Sequence, residues 1–175
     1  MSHYRSFETE RLLLKPTTEE DAALFLDLLN TPKWLRYIGD RNVRTLEDAK
    51  AYINSRIRPQ LERLGYANYT VIRKVDQVKV GVCGLYDREG LEGIDIGFAY
   101  LPEYERNGYA YEAAHEIKRA GLEEFGIRRL GAITSKKNIA SQKLLEKLGL
   151  KFSKTVKLPD DDEELLFYAF VSDAS

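Results

Sequence analysis

The chain is poor in the residues that build staples and metal cages. It has one cysteine and two histidines in 175 residues. Cys83 alone can form neither an internal disulfide nor a Cys-cluster zinc site. His3 and His115 cannot build a rich metal cage by themselves, so no resident metal is expected. No apolar run approaches the roughly 20 residues that span a bilayer. The opening stretch Met1-Ser-His-Tyr-Arg-Ser-Phe-Glu8 lacks the apolar centre of a secretory leader. A surplus of positive charge is missing too: 27 Lys and Arg stand against 28 Asp and Glu, for a formal charge of −1. A general nucleic-acid binder needs a basic excess to meet phosphates. These absences predict a cytoplasmic protein with neither DNA nor a membrane as partner, and any cofactor as an organic one.

What is present is globular. Hydrophobic residues make up 43% and charged residues 31%, a balance that can build a core. The length suits one domain over 1–175. Periodicity and breakers give the elements. A strand is expected over 7–16, ended by Pro16. A helix capped by Thr17 or Thr18 follows, with Glu19, Glu20 and Asp21 in its first turn, and Asn30-Thr-Pro32 stops it. Residues 33–44 read as irregular. Thr45 and Asp48 resemble a capping box that opens a helix to about Leu64, with Pro59 as a kink. Strands follow at about 67–74, 78–86 and 93–101, the first two as a hairpin. A helix from Gly108 to Phe125, a strand over 128–134, a helix from Asn138 to Leu148 and strands at about 150–157 and 164–171 complete the order β-α-α-β-β-β-α-β-α-β-β. That order is a mixed α/β (α+β) sheet with helices on its faces.

Three features carry chemistry. The loop Pro102–Asn107 leads into a helix at Gly108. Such a helix start offers unpaired N–H groups and the positive end of a dipole to a phosphate. The loop is neither a Walker loop nor a dinucleotide fingerprint. On the preceding strand, alternation puts Asp95, Gly97, Ala99 and Leu101 on one face. Asp95 then reads either as an exposed acid on a half-covered sheet or as a base with room beside it. In the last helix Asn138, Ser141, Leu145 and Leu148 fall in one stripe. The plain reading makes Asn138 an N-cap with Ser141 bonded to the first turn; the functional one turns both toward a ligand.

Together these segments resemble the GNAT superfamily of acetyl-CoA-dependent N-acetyltransferases, and in particular its ribosomal-protein N-terminal acetyltransferase-like (RimJ/RimL-type) branch. The carrying segments are Glu8-Thr-Glu-Arg-Leu-Leu-Leu-Lys-Pro16, Asp95-Ile-Gly-Phe98, Pro102-Glu-Tyr-Glu-Arg-Asn-Gly-Tyr-Ala-Tyr-Glu-Ala113 and Asn138-Ile-Ala-Ser-Gln-Lys-Leu-Leu-Glu-Lys-Leu-Gly149. Against the superfamily loop [QR]-x-x-G-x-[GA], Gly108 and Ala110 match, while Glu105 stands at the first position with Arg106 one place late. Tyr111 stands where relatives often carry threonine.

The resemblance implies a GNAT-type splayed sheet of about seven strands with helices on both faces. It implies acetyl-CoA as co-substrate and an amine as acceptor. Backbone groups of Phe98, Ala99 and Tyr100 would hold the pantetheine arm with Asn138. The amides of Arg106, Asn107, Gly108, Tyr109, Ala110 and Tyr111 would hold the pyrophosphate, and Ser141 would sit near the thioester sulfur. Asp95 becomes the general base, acting through a water, with Ser141 serving the departing thiolate. A backbone N–H of the fourth strand would face the developing oxyanion. Trp34 and Tyr37 fall on the acceptor side, as does the acidic turn Asp160–Glu164. Protein or peptide N-terminal α-amines are the favoured acceptors, with small-molecule amines as a second class and direct attack in a ternary complex as the route. Cys83 reads as a core residue, not an acyl carrier. The competing function is a non-catalytic acyl-CoA binding or sensor module. The assembly expected is a monomer or homodimer.

Overall fold

A computed structural model of the chain describes residues 4–159 and 161–172. His3 and Asp160 lie outside the described residues. The expected first strand is two. β1 (Phe7–Glu8) and β2 (Leu12–Pro16) pair antiparallel, Phe7 opposite Leu14. Thr9 makes the turn: its N–H donates to the Leu12 carbonyl, and the Leu12 N–H reaches the Thr9 hydroxyl. A hydroxyl that satisfies local backbone groups breaks a strand that hydrophobicity alone would carry through.

Thr18 caps a short 3₁₀ turn at Glu19–Asp21, which runs into α1 (Ala22–Leu28). The segment expected to be irregular holds a further helix, α2 (Pro32–Tyr37). α1 ends at Leu28, before Asn30-Thr-Pro32 as expected, but Pro32 also opens the next helix. It occupies the first turn of α2, where its missing N–H is no loss, and Thr31 caps the helix by accepting from the Trp34 N–H. The capping box at Thr45 and Asp48 forms and opens α3 (Leu46–Tyr52). A π-helical turn, Ile53–Ile57, joins it to α4 (Arg58–Leu64), with Pro59 in the first turn of α4. The proline's lost hydrogen bond is thereby absorbed at a helix boundary.

β3 (Asn68–Arg73) and β4 (Val78–Tyr86) form the expected hairpin, with a bulge between Val71 and Ile72. β5 (Ile94–Tyr100) pairs antiparallel with β4. Then follow α5 (Tyr109–Glu123), β6 (Arg129–Ser135), α6 (Ile139–Lys147), β7 (Lys151–Val156) and β8 (Leu165–Val171). The strands form one eight-stranded mixed sheet in the order β1-β2-β3-β4-β5-β6-β8-β7, one strand more than the expected seven because the first splits.

Alternation on β5 sorts the core into two layers. Ile96, Phe98 and Tyr100 face α5, whose stripe of Ala113, Ala114, Ile117, Ala120 and Gly121 is buried against them and against Leu85. Ala99 and Leu101 face the opposite layer, made by Phe25, Leu28, Ala49, Ile53 and Val82. Small residues along α5 bring it close to the sheet: a Cβ on Gly121 would meet Leu85 and Ile127 at 3.4 Å. Among the described residues no helix is long and apolar enough to cross a membrane.

Candidate active site

The sheet opens at its centre. β5 and β6 run parallel but pair only at Ile94–Leu130 and Asp95–Gly131. Beyond Asp95 the two strands part, so Ile96–Tyr100 and Ala132–Ser135 present edges that the other strand does not satisfy. Backbone N–H and C=O groups in such a cleft seek a partner of strand-like shape.

Past its free edge, β5 leads through a 3₁₀ turn at Pro102–Tyr104 into α5. Gly108 stands at the N-cap with φ +80°, a left-handed conformation that suits glycine. Arg106, two residues earlier, has φ +64°. The α-helices that begin from a loop elsewhere in the chain carry side-chain caps: Thr31 on α2, Thr45 on α3 and Asn138 on α6. α5 begins on a glycine with no side-chain cap. Its first-turn amides are therefore open to an external acceptor, and its fifteen residues add the dipole. A concavity of about 500 Å³ adjoins this end, lined by Glu8, Thr9, Gly108, Tyr111, Glu112 and His115.

The turn between β1 and β2 braces that end. Glu112 accepts from the Arg11 N–H at 2.9 Å, from Arg11 Nε at 2.7 Å and from the Thr9 hydroxyl. Arg11 Nη1 donates to the Asn107 carbonyl at 2.9 Å, and the guanidinium lies 4.6 Å over the Tyr109 ring. Burial pushes the Glu112 carboxyl up, but the bonds from Thr9 and Arg11 outweigh it and hold it below its ordinary value. Tyr109 is buried and Ala110 half-buried, while Tyr111 lies beneath Lys147, whose Nζ is 4.1 Å from its ring centroid. Arg106 and Asn107 are exposed, and Asn107 Nδ2 ties the loop to the carbonyls of Tyr104 and Glu105.

On the far side of the cleft Asn138 caps α6, its Oδ1 accepting from the Ser141 N–H at 3.2 Å. Its plain role is thus filled. Ser141 is half-buried, and among the described residues its hydroxyl has no hydrogen-bond partner. Phe98, Ala99 and Tyr100 line the opposing edge on β5. The Tyr100 hydroxyl is buried and has no partner among the described residues, and burial pushes its pKa up.

Asp95 lies where the strands part, 2% exposed. It does not face open room. The small residues beside it are covered by Tyr86, its cross-strand neighbour: a Cβ on Gly97 would meet the Tyr86 ring at 3.0 Å, and one on Gly84 the Tyr86 hydroxyl at 2.7 Å. Arg88 reaches in from the loop after β4, placing Nε 3.2 Å from both Asp95 oxygens and Nη2 3.2 Å from Oδ2. Burial pushes the Asp95 carboxyl up, and Arg88 works against that rise. Neither Tyr86 nor Arg88 is signalled by spacing, since nothing in the sequence pairs them with Asp95.

Trp34 and Tyr37 sit on α2. Trp34 packs half-buried on the α1–α3 layer with its indole N–H buried and unpartnered among the described residues, and Arg36 lies 5.2 Å over the Tyr37 ring. Of the acidic turn, Glu163 accepts from the Ser135 hydroxyl at 3.2 Å and Glu164 pairs with Lys136 at 3.6 Å. The loop after β4 touches the same turn, for a Cβ on Gly90 would meet the Pro159 ring at 2.5 Å. Cys83 is buried mid-strand, where burial pushes its thiol up. No cluster of three or more His, Cys, Asp or Glu suited to a metal occurs among the described residues.

A split parallel pair beside an uncapped, glycine-started helix defines the acyl-CoA-binding class of fold, and the chain belongs to the GNAT acetyltransferase family: the family described as "Acetyltransferase (GNAT) domain" matches residues 11–151. It is an acetyl-CoA-dependent acyltransferase. Among its relatives, the uncharacterized N-acetyltransferase YoaA of Bacillus subtilis (strain 168) is 28% identical over 145 residues, 82% of this chain and 81% of that one. The fold is shared with a ribosomal-protein-S5-alanine acetyltransferase from Vibrio fischeri (TM-score 0.80, 18% identity, 97% of each chain). It is shared too with RimL, a ribosomal L7/L12 α-N-protein acetyltransferase solved with coenzyme A (TM-score 0.82, 19% identity, 98% of this chain and 100% of that one).

Proposed function

We propose that this chain acetylates the α-amino group of a peptide or protein N-terminus, the amine attacking directly in a ternary complex. Acetyl-CoA, when bound, supplies an activated acetyl thioester. The residues present suit it. The open amides from Arg106 to Tyr111 accept the pyrophosphate, and the free edge at Phe98, Ala99 and Tyr100 takes the pantetheine arm with Asn138. The observation that carries this reading is α5, a long helix that begins on Gly108 without a side-chain cap, after the loop that follows β5, whose edge is freed where β5 parts from β6.

Ser141 offers a hydroxyl with no competing partner among the described residues, ready to donate toward a departing thiolate. Asp95 accepts the amine's proton through a water, oriented by Arg88. The pair also argues for the acceptor. A carboxylate held by a guanidinium is a weaker base than a lone buried one. An α-amine titrates near about 7.7–8.0 and is largely neutral with little help, whereas a lysine, near about 10.4, needs a strong base. Trp34 and Tyr37 would contact the acceptor. Small-molecule amines form the second acceptor class. The protein works in the cytoplasm as one domain, consistent with its single buried cysteine.

Calorimetric titration with acetyl-CoA, followed by thiol release against peptide amines, polyamines and aminoglycosides, tests this. Binding with release on N-terminal peptides is the expected result. Binding with no release on any amine would point instead to a sensor.

A further inference from the structure

The loop that presents the donor site carries an acid where an anion is to bind. Glu105 lies three residues before Gly108, and an uncompensated carboxylate there repels a diphosphate. It is not uncompensated. Lys33 Nζ, from the first turn of α2 and 72 residues away in sequence, donates to Glu105 Oε2 at 2.7 Å. Other cations around the loop do not contact Glu105: Arg11 is committed to Glu112 and the Asn107 carbonyl, Arg73 pairs with Asp76 and lies over Tyr104, Lys147 lies over Tyr111, and Arg106 is exposed. Within Pro102–Gly108 the charges are Glu103, Glu105 and Arg106, so the loop alone is net negative, and Lys33 brings it to neutral.

We propose that Lys33 is a positioning residue of the donor site, acting through Glu105: its ammonium cancels the loop carboxylate so that the diphosphate can settle on the α5 amides. It comes from α2, a helix that otherwise contributes nothing to that site. The inference rests on the donor reading above.

Three variants separate a charge role from a merely structural one. Lys33→Gln, Glu105→Gln and the double variant are each titrated calorimetrically with CoA at low and at high salt, with melting temperature as a check on folding. If the role is charge cancellation, Lys33→Gln weakens CoA binding about five-fold at low salt, and salt narrows the gap. Glu105→Gln binds at least as tightly as the parent, and the double variant recovers to within about two-fold of it. If the pair were only a brace, either single change would break it, and all three variants would weaken alike. That pattern, or a Lys33→Gln variant with parental affinity, overturns the proposal. A folded parent that does not bind CoA overturns the donor reading itself, a result distinct from either.

Discussion

Asp95 and Arg88 form a carboxylate–guanidinium pair at the point where the sheet splits, with three N–O contacts of 3.2 Å and Asp95 almost wholly buried. The pair lies seven residues apart in sequence but joins the loop after β4 to the middle of the fold. It makes the acid a controlled group and not an open base. Tyr86, whose ring fills the space over Gly97 and Gly84, closes the same region from the side.

Replacing Arg88 with Leu leaves a buried carboxyl without its cation. The expected loss at pH 7 is about 2–4 kcal/mol, somewhat below the roughly 3–5 kcal/mol typical of breaking a fully buried pair, because a third of the Arg88 side chain is exposed. The sign with pH follows from the raised Asp95 carboxyl. A raised acid binds its proton more readily folded than unfolded, so the cost of ionising it is present above the folded pKa and is relieved as pH falls through it. Without Arg88 the carboxyl rises further, so the variant should regain stability relative to the parent as pH falls from 7 toward 5, where the protonated form gains. Urea unfolding at the two values reads this; a deficit that stays constant would contradict it.

Glu112 behaves the opposite way. Its carboxyl is held below its ordinary value, so its contribution is present above the ordinary carboxylate range and is lost as pH falls through the folded pKa. Glu112→Gln should cost about 1–2 kcal/mol at pH 7, as expected for charge-assisted bonds partly open to water. The gap to the parent should close in acid. Because Arg11 and Thr9 lose their anchor, CoA affinity should fall as well, which a titration at pH 7 would register.

Gly108 is held at φ +80°, and a Cβ there would sit 3.2 Å from Arg11 Nη2. Gly108→Ala should cost roughly 1 kcal/mol of backbone strain and should also weaken CoA binding. Gly126, at φ +69° with nothing within 4 Å of a Cβ, is the control. Gly126→Ala should lower the melting temperature by a similar amount yet leave the titration unchanged. Equal loss of affinity in both would mean that strain, not site geometry, governs binding.

Ser141→Ala removes a hydroxyl that the fold itself does not use. Stability and acetyl-CoA affinity should stay near the parent's, while turnover falls by about a hundred-fold or more, in the range of a lost proton donor. A drop in affinity with turnover per bound complex intact would make Ser141 a binding residue only.

Much of the frame is written in local chemistry. The Thr45–Asp48 capping box and the alternation on β5 depend on neighbours in sequence, and each is present as read. Two further features are just as local: beyond the expected stop of α1, Pro32 starts a helix because Thr31 caps it, and the Thr9 hydroxyl turns what reads as one strand into a hairpin. The brace and the pairings around the site were not legible. Arg11 and Glu112 lie 101 residues apart, and Lys33 and Glu105 lie 72 apart. No periodicity connects them; only the sheet order brings them together. The room inferred beside Asp95 from Gly97 and Ala99 was misread for the same reason, since the Tyr86 ring that covers Gly97 comes from another strand.

The most direct measurement is thiol release from acetyl-CoA with two peptides of one sequence: one with a free N-terminus and no lysine, the other with a blocked N-terminus and a single lysine. The account predicts release with the free α-amine at pH 7.5 and little with the lysine peptide. Acetylation of the lysine peptide at an equal or greater rate, or release with neither while acetyl-CoA binds, would contradict it.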